Sequence, residues 1–218
     1  MTEQNTPTDN FPDEIFKAYD IRGIVDSALT TAITRKIGQA FGSEALSKGV
    51  DTVIIARDGR LSGPALSSAL SEGLLASGCN VIDIGMVPTP ALYFATYELG
   101  TGTGIMITGS HNPPEYNGLK MVMAGETLAG DRIQQLKQRI LSAQYSTGTG
   151  TLTEIDIKPA YIQRILSEGT LARELHAVVD CGNGVASEIA PELLTQLGCK
   201  LTPLFCETDG SFPNHHPD

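Results

Sequence analysis

Hydrophobic positions along this chain switch repeatedly between helical and strand spacing. Over residues 30–48, TTAITRKIGQAFGSEALSK, Ile33, Ile37 and Phe41 share one helical face, so the stretch predicts a helix capped by Thr30 and ended by Gly49. Residues 51–56, DTVIIA, form a near-continuous apolar run suited to a strand buried on both faces. The polar turn RDGRLSG leads into a helix in which Leu66, Leu70 and Leu74 recur at four-residue spacing. Ser62 is its expected cap, Pro64 falls in its first turn and Gly78 follows its end. Residues 80–85, NVIDIG, return to strand character. Strand, helix and strand in this order are the signature of α/β architecture.

The rhythm continues with a short helix at 89–100, a strand at 104–108 and another at 119–123. Residues 131–142 form a helix with Ile133, Leu136 and Ile140 inward. Residues 145–154, YSTGTGTLTE, are small, polar and rich in Gly and Thr, which predicts a linker and a domain boundary. Beyond it come a helix at 158–169 and a strand–turn–helix–strand pattern at 176–205. That pattern resembles residues 52–84: each has an apolar strand, an Asp-bearing Gly turn and a Gly-Cys after the helix (78/79 and 198/199). Duplication of one α/β unit and the general likeness of any two such units both account for it. Residues 1–14 are expected to be a disordered lead, with domains over 15–146 and 156–218 joined by a linker at 147–155.

Composition narrows the possibilities. The chain has 218 residues, 41% hydrophobic and 18% charged, as in ordinary globular protein. Its net charge is −10, and Arg35–Lys36 is the only adjacent basic pair, which speaks against nucleic-acid binding. Any anion must be held locally, by a few Arg, Lys and backbone N–H groups. No apolar run approaches a membrane span, and the polar, acidic N-terminus is no secretory signal. Cys79, Cys181, Cys199 and Cys206 lack C-x-x-C spacing, so they are expected to be small buried residues, reduced, in a cytoplasmic protein.

Candidate chemistry concentrates at residues 108–120, TGSHNPPEYNGLK. Turn formation explains its Gly, Pro and Asn residues, and Asn117–Gly118 is expected to be a turn. It does not explain Ser110, His111 and Lys120 together. A nucleophile elbow needs Gly-x-Ser-x-Gly between strand and helix, and here His-Asn-Pro-Pro and a strand follow the serine. A serine hydrolase is therefore disfavoured. A serine fixed by Gly109 and Pro113–Pro114, with backbone N–H groups, His111 and Lys120 nearby, suits a phosphoryl carrier, because phosphoryl transfer depends on placement and charge neutralisation. A rigid surface turn with a chance Ser-His remains the alternative on residue chemistry alone.

The serine loop, TGSHNPPEYNGLKM, resembles the active-site loop of the α-D-phosphohexomutases, in particular the bacterial phosphomannomutase/phosphoglucomutase group. FKAYDIRG (16–23), RDGR (57–60), VVDCGNGVA (178–186) and DGSFPNHHPD (209–218) resemble further family segments in the same order. The resemblance implies a three-layer α/β/α domain with a mixed sheet, followed by most of a second similar domain. It implies Ser110 as a phosphoserine that moves phosphate between the 1- and 6-positions of a hexose through a 1,6-bisphosphate intermediate. His111 and Lys120 would assist proton movement, Asn112 would fix the loop, and Tyr19 and Arg22 would line the cleft. Arg57 and Arg60 would hold the loop or face the phosphate, and Asp58 would brace a turn. Mg²⁺ would take the phosphoserine oxygen as a ligand, and the substrate would be a hexose phosphate. His215–His216 are expected to be solvent-exposed and His176 structural. The acidic metal loop that the family carries after this point is not in the sequence, which predicts an incomplete second domain and little turnover by the chain alone. A phosphoglucosamine mutase and a non-catalytic phosphosugar-binding protein built from the same domains are the alternatives.

Overall fold

A computed structural model describes residues 11–216. Seven strands form one mixed sheet: β1 (Ile21–Ile24), β2 (Thr52–Arg57), β3 (Asn80–Met86), β4 (Gly104–Ile107), β5 (Tyr116–Met123), β6 (Glu126–Thr127) and β7 (Leu152–Glu154). Their spatial order is β1-β5-β4-β2-β3-β7, with β6 paired to β5. β2 runs parallel to β3 and β4, and β7 parallel to β3, whereas β5 is antiparallel to both β1 and β4. The helices are α1 (Thr31–Ser47), α2 (Gly63–Ser77), α3 (Thr89–Glu98), α4 (Asp131–Leu141), α5 (Lys158–Leu166) and α6 (Ala190–Gln196).

Side-chain alternation along the strands divides the core into two layers. Val53, Ile55, Ile105, Ile107, Leu119 and Met121 pack against Ile37 and Phe41 of α1, Leu66, Leu70 and Leu74 of α2, and Ile133, Leu136 and Ile140 of α4. Ile54, Ala56 and Met106 face the other way, onto Ala91, Leu92 and Ala95 of α3 and Ile162 of α5. This is the expected three-layer α/β/α arrangement. α1 and α2 meet backbone to backbone: a Cβ on Gly73 would lie 2.0 Å from the Arg35 carbonyl oxygen, and one on Gly38 2.4 Å from that of Leu70.

The expected caps divide. Thr30 accepts a hydrogen bond from the Ile33 amide at 3.2 Å. Ser62 stands at the cap of α2 with φ −75° and ψ −15°, a helical conformation, and its side chain caps nothing. A capping side chain needs an extended backbone to reach back over the first turn. The Ser62 hydroxyl accepts instead from the Asn117 side-chain Nδ2 at 2.9 Å.

Other expectations need correction. Asn117 and Gly118 are not a turn; they lie in β5, opposite Gly23 and Arg22 of β1. Most of the lead, residues 1–10, lies outside the described residues. Residues 11–14 are ordered in the fold: Phe11 packs on the core beside Phe16, and Asp13–Ile15 make a 3-10 turn. The segment expected to be a linker carries β7, which extends the first sheet at β3. Its glycines read as flexibility but serve close approach: Gly148 and Gly150 donate to the Ala76 and Leu75 carbonyls, each at 3.0 Å.

The second unit contains α5, α6 and a separate two-stranded parallel sheet of β8 (His176–Asp180) and β9 (Lys200–Leu204). It repeats the closing geometry of the β2–α2–β3 unit. Gly78 and Gly198 both have positive φ, and the following Cys79 and Cys199 amides donate to Leu74 and Leu194. Its helix is shorter, 7 residues in α6 against 15 in α2. Cys79 is buried, as expected, while Cys181, Cys199 and Cys206 are only half-buried.

Candidate active site

The serine loop leaves the C-terminal end of β4, beside the C-terminal end of its parallel neighbour β2. In open α/β sheets this edge is where loops gather into ligand sites. The loop is built from inside. The Thr108 amide donates to the Gly118 carbonyl at 2.9 Å, and the Ser110 amide donates to the Thr108 hydroxyl at 2.9 Å. The Asn112 side-chain amide donates to the Gly109 carbonyl at 2.8 Å. Ser110 adopts φ +53°, in the left-handed region. Outside glycine that conformation costs about 1–2 kcal/mol, so surrounding contacts must impose it.

Arg60 and Asp58, both buried, supply those contacts. The Arg60 guanidinium donates through Nη1 to the carbonyls of Pro113 (2.6 Å) and Tyr116 (3.0 Å), and through Nη2 to those of Ser110 (2.8 Å) and Asn112 (2.6 Å). Asp58 accepts from the Arg60 amide at 3.0 Å and from the Gly109 amide at 3.2 Å, and its Oδ2 lies 3.4 Å from Arg60 Nε. Burial pulls the Arg60 pKa below the usual guanidinium value, and the Asp58 charge opposes that shift. The aromatic ring of Phe212, from the second unit, covers the guanidinium carbon at 5.5 Å from the ring centroid. Gly109 completes the arrangement, because a Cβ there would sit 2.2 Å from Arg60 Nε.

Ser110, half-buried, lines a cavity of about 320 Å³ between the two units. Asp58 and Thr108 share its wall with Pro88 and Thr89 at the start of α3, and the second unit contributes Cys181 and Phe212. The N-terminus of α3 brings the positive end of a helix dipole to this cavity, but Pro90 has no N–H and the Ala91 amide is taken by the Pro88 carbonyl at 2.9 Å.

The other expected site residues divide around this centre. Arg22 lies opposite Gly118 across β1 and β5, and Lys120 follows two residues along on the same face, opposite Met106 of β4. Arg22 is tied to Asp20 at 2.5 Å. His111 is exposed at the loop tip, and Tyr19 is 77% exposed ahead of β1. Arg57 points elsewhere. It pairs in register with Ile107, on the sheet face that carries α2, and lines a different depression with Asp83, Glu154 and Lys158. His176 is exposed, with Nε2 3.0 Å from the Thr202 hydroxyl. His215 and His216 are exposed, and His215 Nε2 lies 3.1 Å from Asp180. Among the described residues no group of three or more Asp, Glu, His or Cys side chains is placed to hold a metal ion, so these residues do not by themselves fit a Mg²⁺ site. No described helix is long and apolar enough to cross a membrane.

Sequence reasoning missed the Ser62–Asn117 bond, the Phe212 cover and the Pro88–Thr89 wall. The Thr-Gly-Ser order at a strand end was a usable signal for the Thr108 bond, since Thr side chains accept from the amide two residues on.

A mixed α/β/α sheet with a conformationally fixed serine at its C-terminal edge, facing a cavity toward a second α/β unit, defines an α/β protein with a loop-borne serine site. The family models "Phosphoglucomutase/phosphomannomutase, alpha/beta/alpha domain I" and its domain II counterpart match residues 13–146 and 159–218. The chain belongs to the phosphoglucomutase/phosphomannomutase family. It is 51% identical over 218 residues to the phosphomannomutase/phosphoglucomutase of Pseudomonas aeruginosa, covering 100% of this chain and 47% of that protein. It is 48% identical to a phosphoglucomutase of Neisseria meningitidis, over 94% of this chain and 45% of that protein. A crystal structure of a phosphoglucomutase/phosphomannomutase family protein from Burkholderia thailandensis superposes with a TM-score of 0.91 at 50% identity, over 94% of this chain and 46% of that one. The chain thus spans about half the length of the curated relatives it matches.

Proposed function

We propose that this chain carries the phosphoserine side of a hexose-phosphate mutase of the phosphomannomutase/phosphoglucomutase type. Phosphorylated Ser110 donates its phosphoryl group to a hydroxyl of a hexose monophosphate. The bond from phosphorus to Ser110 Oγ breaks, one to the sugar oxygen forms, and the hydroxyl proton ends on Ser110. The 1,6-bisphosphate so formed returns its other phosphoryl group to Ser110 by the reverse step. The single observation that supports this reading most is the fixed backbone of Ser110 beside a cavity, imposed by Asp58 and Arg60. Catalysis of phosphoryl transfer rests on such placement and on charge neutralisation.

In this reading Lys120 and Arg22 offset phosphate charge from the face of β5 and β1, and His111 at the loop tip moves the proton. Asn112 and Asp58 hold the loop, Tyr19 contacts the sugar at the cleft rim, and Arg57 supports from the far side of β2. A division into two domains, the first running past residue 146 to take in β7, belongs to the same proposal. Mg²⁺ suits a phosphoserine oxygen as a hard ligand. A cytoplasmic setting accords with four unpaired cysteines.

The test is phosphoryl acceptance. Incubating the chain with glucose 1,6-bisphosphate should add one phosphoryl mass, mapped to Ser110, and the Ser110→Ala variant should take none. No transfer, or transfer to another residue, would refute the proposal.

A further inference from the structure

Two half-buried cysteines, Cys181 on the wall of the serine cavity and Cys206 beside it, have no part in the proposed phosphoryl transfer. Cys181 follows the last residue of β8 and lines the cavity with Ser110. Cys206 lies two residues beyond β9. The strands are parallel neighbours with Asp180 opposite Leu204, and the Cys181 amide donates to the Leu204 carbonyl at 3.1 Å. The two thiols therefore leave adjacent strand ends, and their sulfurs stand 3.2 Å apart.

We propose that Cys181 and Cys206 form a dithiol modification site that a low-molecular-weight disulfide converts to an intramolecular disulfide at the wall of the Ser110 cavity. Continuing the register puts Cys181 opposite Phe205, one residue before Cys206, so the 3.2 Å sulfur separation is what brings the pair within reach of a disulfide. The sulfurs need only close to the bonded distance of about 2.05 Å. The other two cysteines do not compete. Cys79 is fully buried, and Cys199 precedes β9 while Cys206 follows it, so the whole strand separates them.

The chemistry balances in two exchanges. The Cys206 thiolate attacks one sulfur of the small disulfide, forming a mixed disulfide and releasing one small thiol. Cys181 then loses its proton and attacks Cys206 Sγ, forming the internal disulfide and releasing the second small thiol. The protein is oxidised by two electrons and the small disulfide is reduced by two. Burial, with the neighbouring Cys206 adding to it, pushes the Cys181 thiol up to about 11, which disfavours Cys181 as the first thiolate to attack.

Thiol mapping tests this without reference to mutase activity. The chain is equilibrated in oxidised and reduced glutathione mixtures, acid-quenched, alkylated with N-ethylmaleimide and digested. The expected result is loss of alkylation at Cys181 and Cys206 together, with one cross-linked peptide joining them that excess reduced glutathione removes. Full alkylation of all the cysteines in oxidised glutathione alone, a link through Cys199, or glutathione adducts without a cross-link would overturn the proposal. A Cys181→Ser variant should hold glutathione stably on Cys206, and a folded variant that takes none would overturn the order of attack. The wild-type map alone decides the cross-link if that variant does not fold.

Discussion

Gly109 and Arg60 occupy complementary space: the guanidinium lies where any side chain on residue 109 would have to begin, with its Nε 2.2 Å from that Cβ position. Arg60 cannot yield, because its Nη groups hold four loop carbonyls at 2.6–3.0 Å. Gly109→Ala should therefore destabilise by about 1–3 kcal/mol, the usual range for overpacking, and displace the serine. A urea midpoint shift, together with loss of phosphoryl acceptance at Ser110, checks it.

Arg60→Lys keeps the charge but offers one ammonium in place of the planar fork. Several buried carbonyls and the Asp58 carboxylate then lose partners. Breaking one member of a buried ion pair costs roughly 3–5 kcal/mol, and Arg60→Lys should fall near that range in chemical denaturation. Asp58→Asn keeps one carbonyl oxygen, so one of the Arg60 and Gly109 amides retains its acceptor while the other faces an NH2 group, and the change should cost less than Arg60→Lys.

The left-handed backbone of Ser110 makes stability and chemistry pull apart. Ser110→Gly should relieve part of the roughly 1–2 kcal/mol that φ > 0 costs a residue with a Cβ, while Ser110→Ala should not. Neither variant should accept phosphate. Thermal midpoints of the two variants, measured beside wild type, decide it; equal midpoints would mean the conformation carries no strain.

The Ser62–Asn117 bond ties the start of α2 to β5. Ser62→Ala and Asn117→Ala should couple in a double-mutant cycle by about 0.5–1.5 kcal/mol, the net worth of one hydrogen bond. Additive effects would show that Ser62 acts on its own helix after all.

His215 titrates above its ordinary 6.5 because the His216 carbonyl and then Asp180 accept from its ring, and Asp180 titrates below its ordinary 3.8 because of His215 and the Gly182 amide. The histidine's contribution to stability is complete below its ordinary value and is lost as pH rises through the raised one. The aspartate's is complete above its ordinary value and is lost as pH falls through the depressed one. The pair is thus most favourable between those two ordinary values. An NMR titration should place the His215 midpoint above 6.5. Asp180→Asn should lower the midpoint only in part, because the His216 carbonyl remains.

Those elements that bury both faces of a strand or one face of a long helix were legible in the sequence. Val53 to Ala56 and the Leu66, Leu70, Leu74 series carry their burial in their spacing. β1 was not legible, because four residues mixing Arg22 and Gly23 with two isoleucines become a strand only through pairing with β5. Asn117–Gly118 carries the strongest local hairpin signal, yet the Asn117 side chain is committed to Ser62 and to the Gly118 amide, and the pair continues a strand. At the site, the constrained Ser110 and the bracing role of Asp58 followed from turn chemistry, whereas the role of Asn112 came only from the family resemblance. Arg57 and Arg60 looked alike in sequence. Strand parity separates them, since Arg57 is the last residue of β2 on its α2 face whereas Arg60 lies beyond the strand and turns inward under the loop.

Phe212 reaches Arg60 from the far unit, and Gly210 packs so closely on the turn after β2 that a Cβ would lie 2.5 Å from the Gly59 carbonyl oxygen. The posture of Ser110 is therefore mechanically shared across both halves of the chain. Swinging one half away from the other would peel an aromatic lid off the buried cation, so widening the cleft and loosening the serine loop would be a single motion.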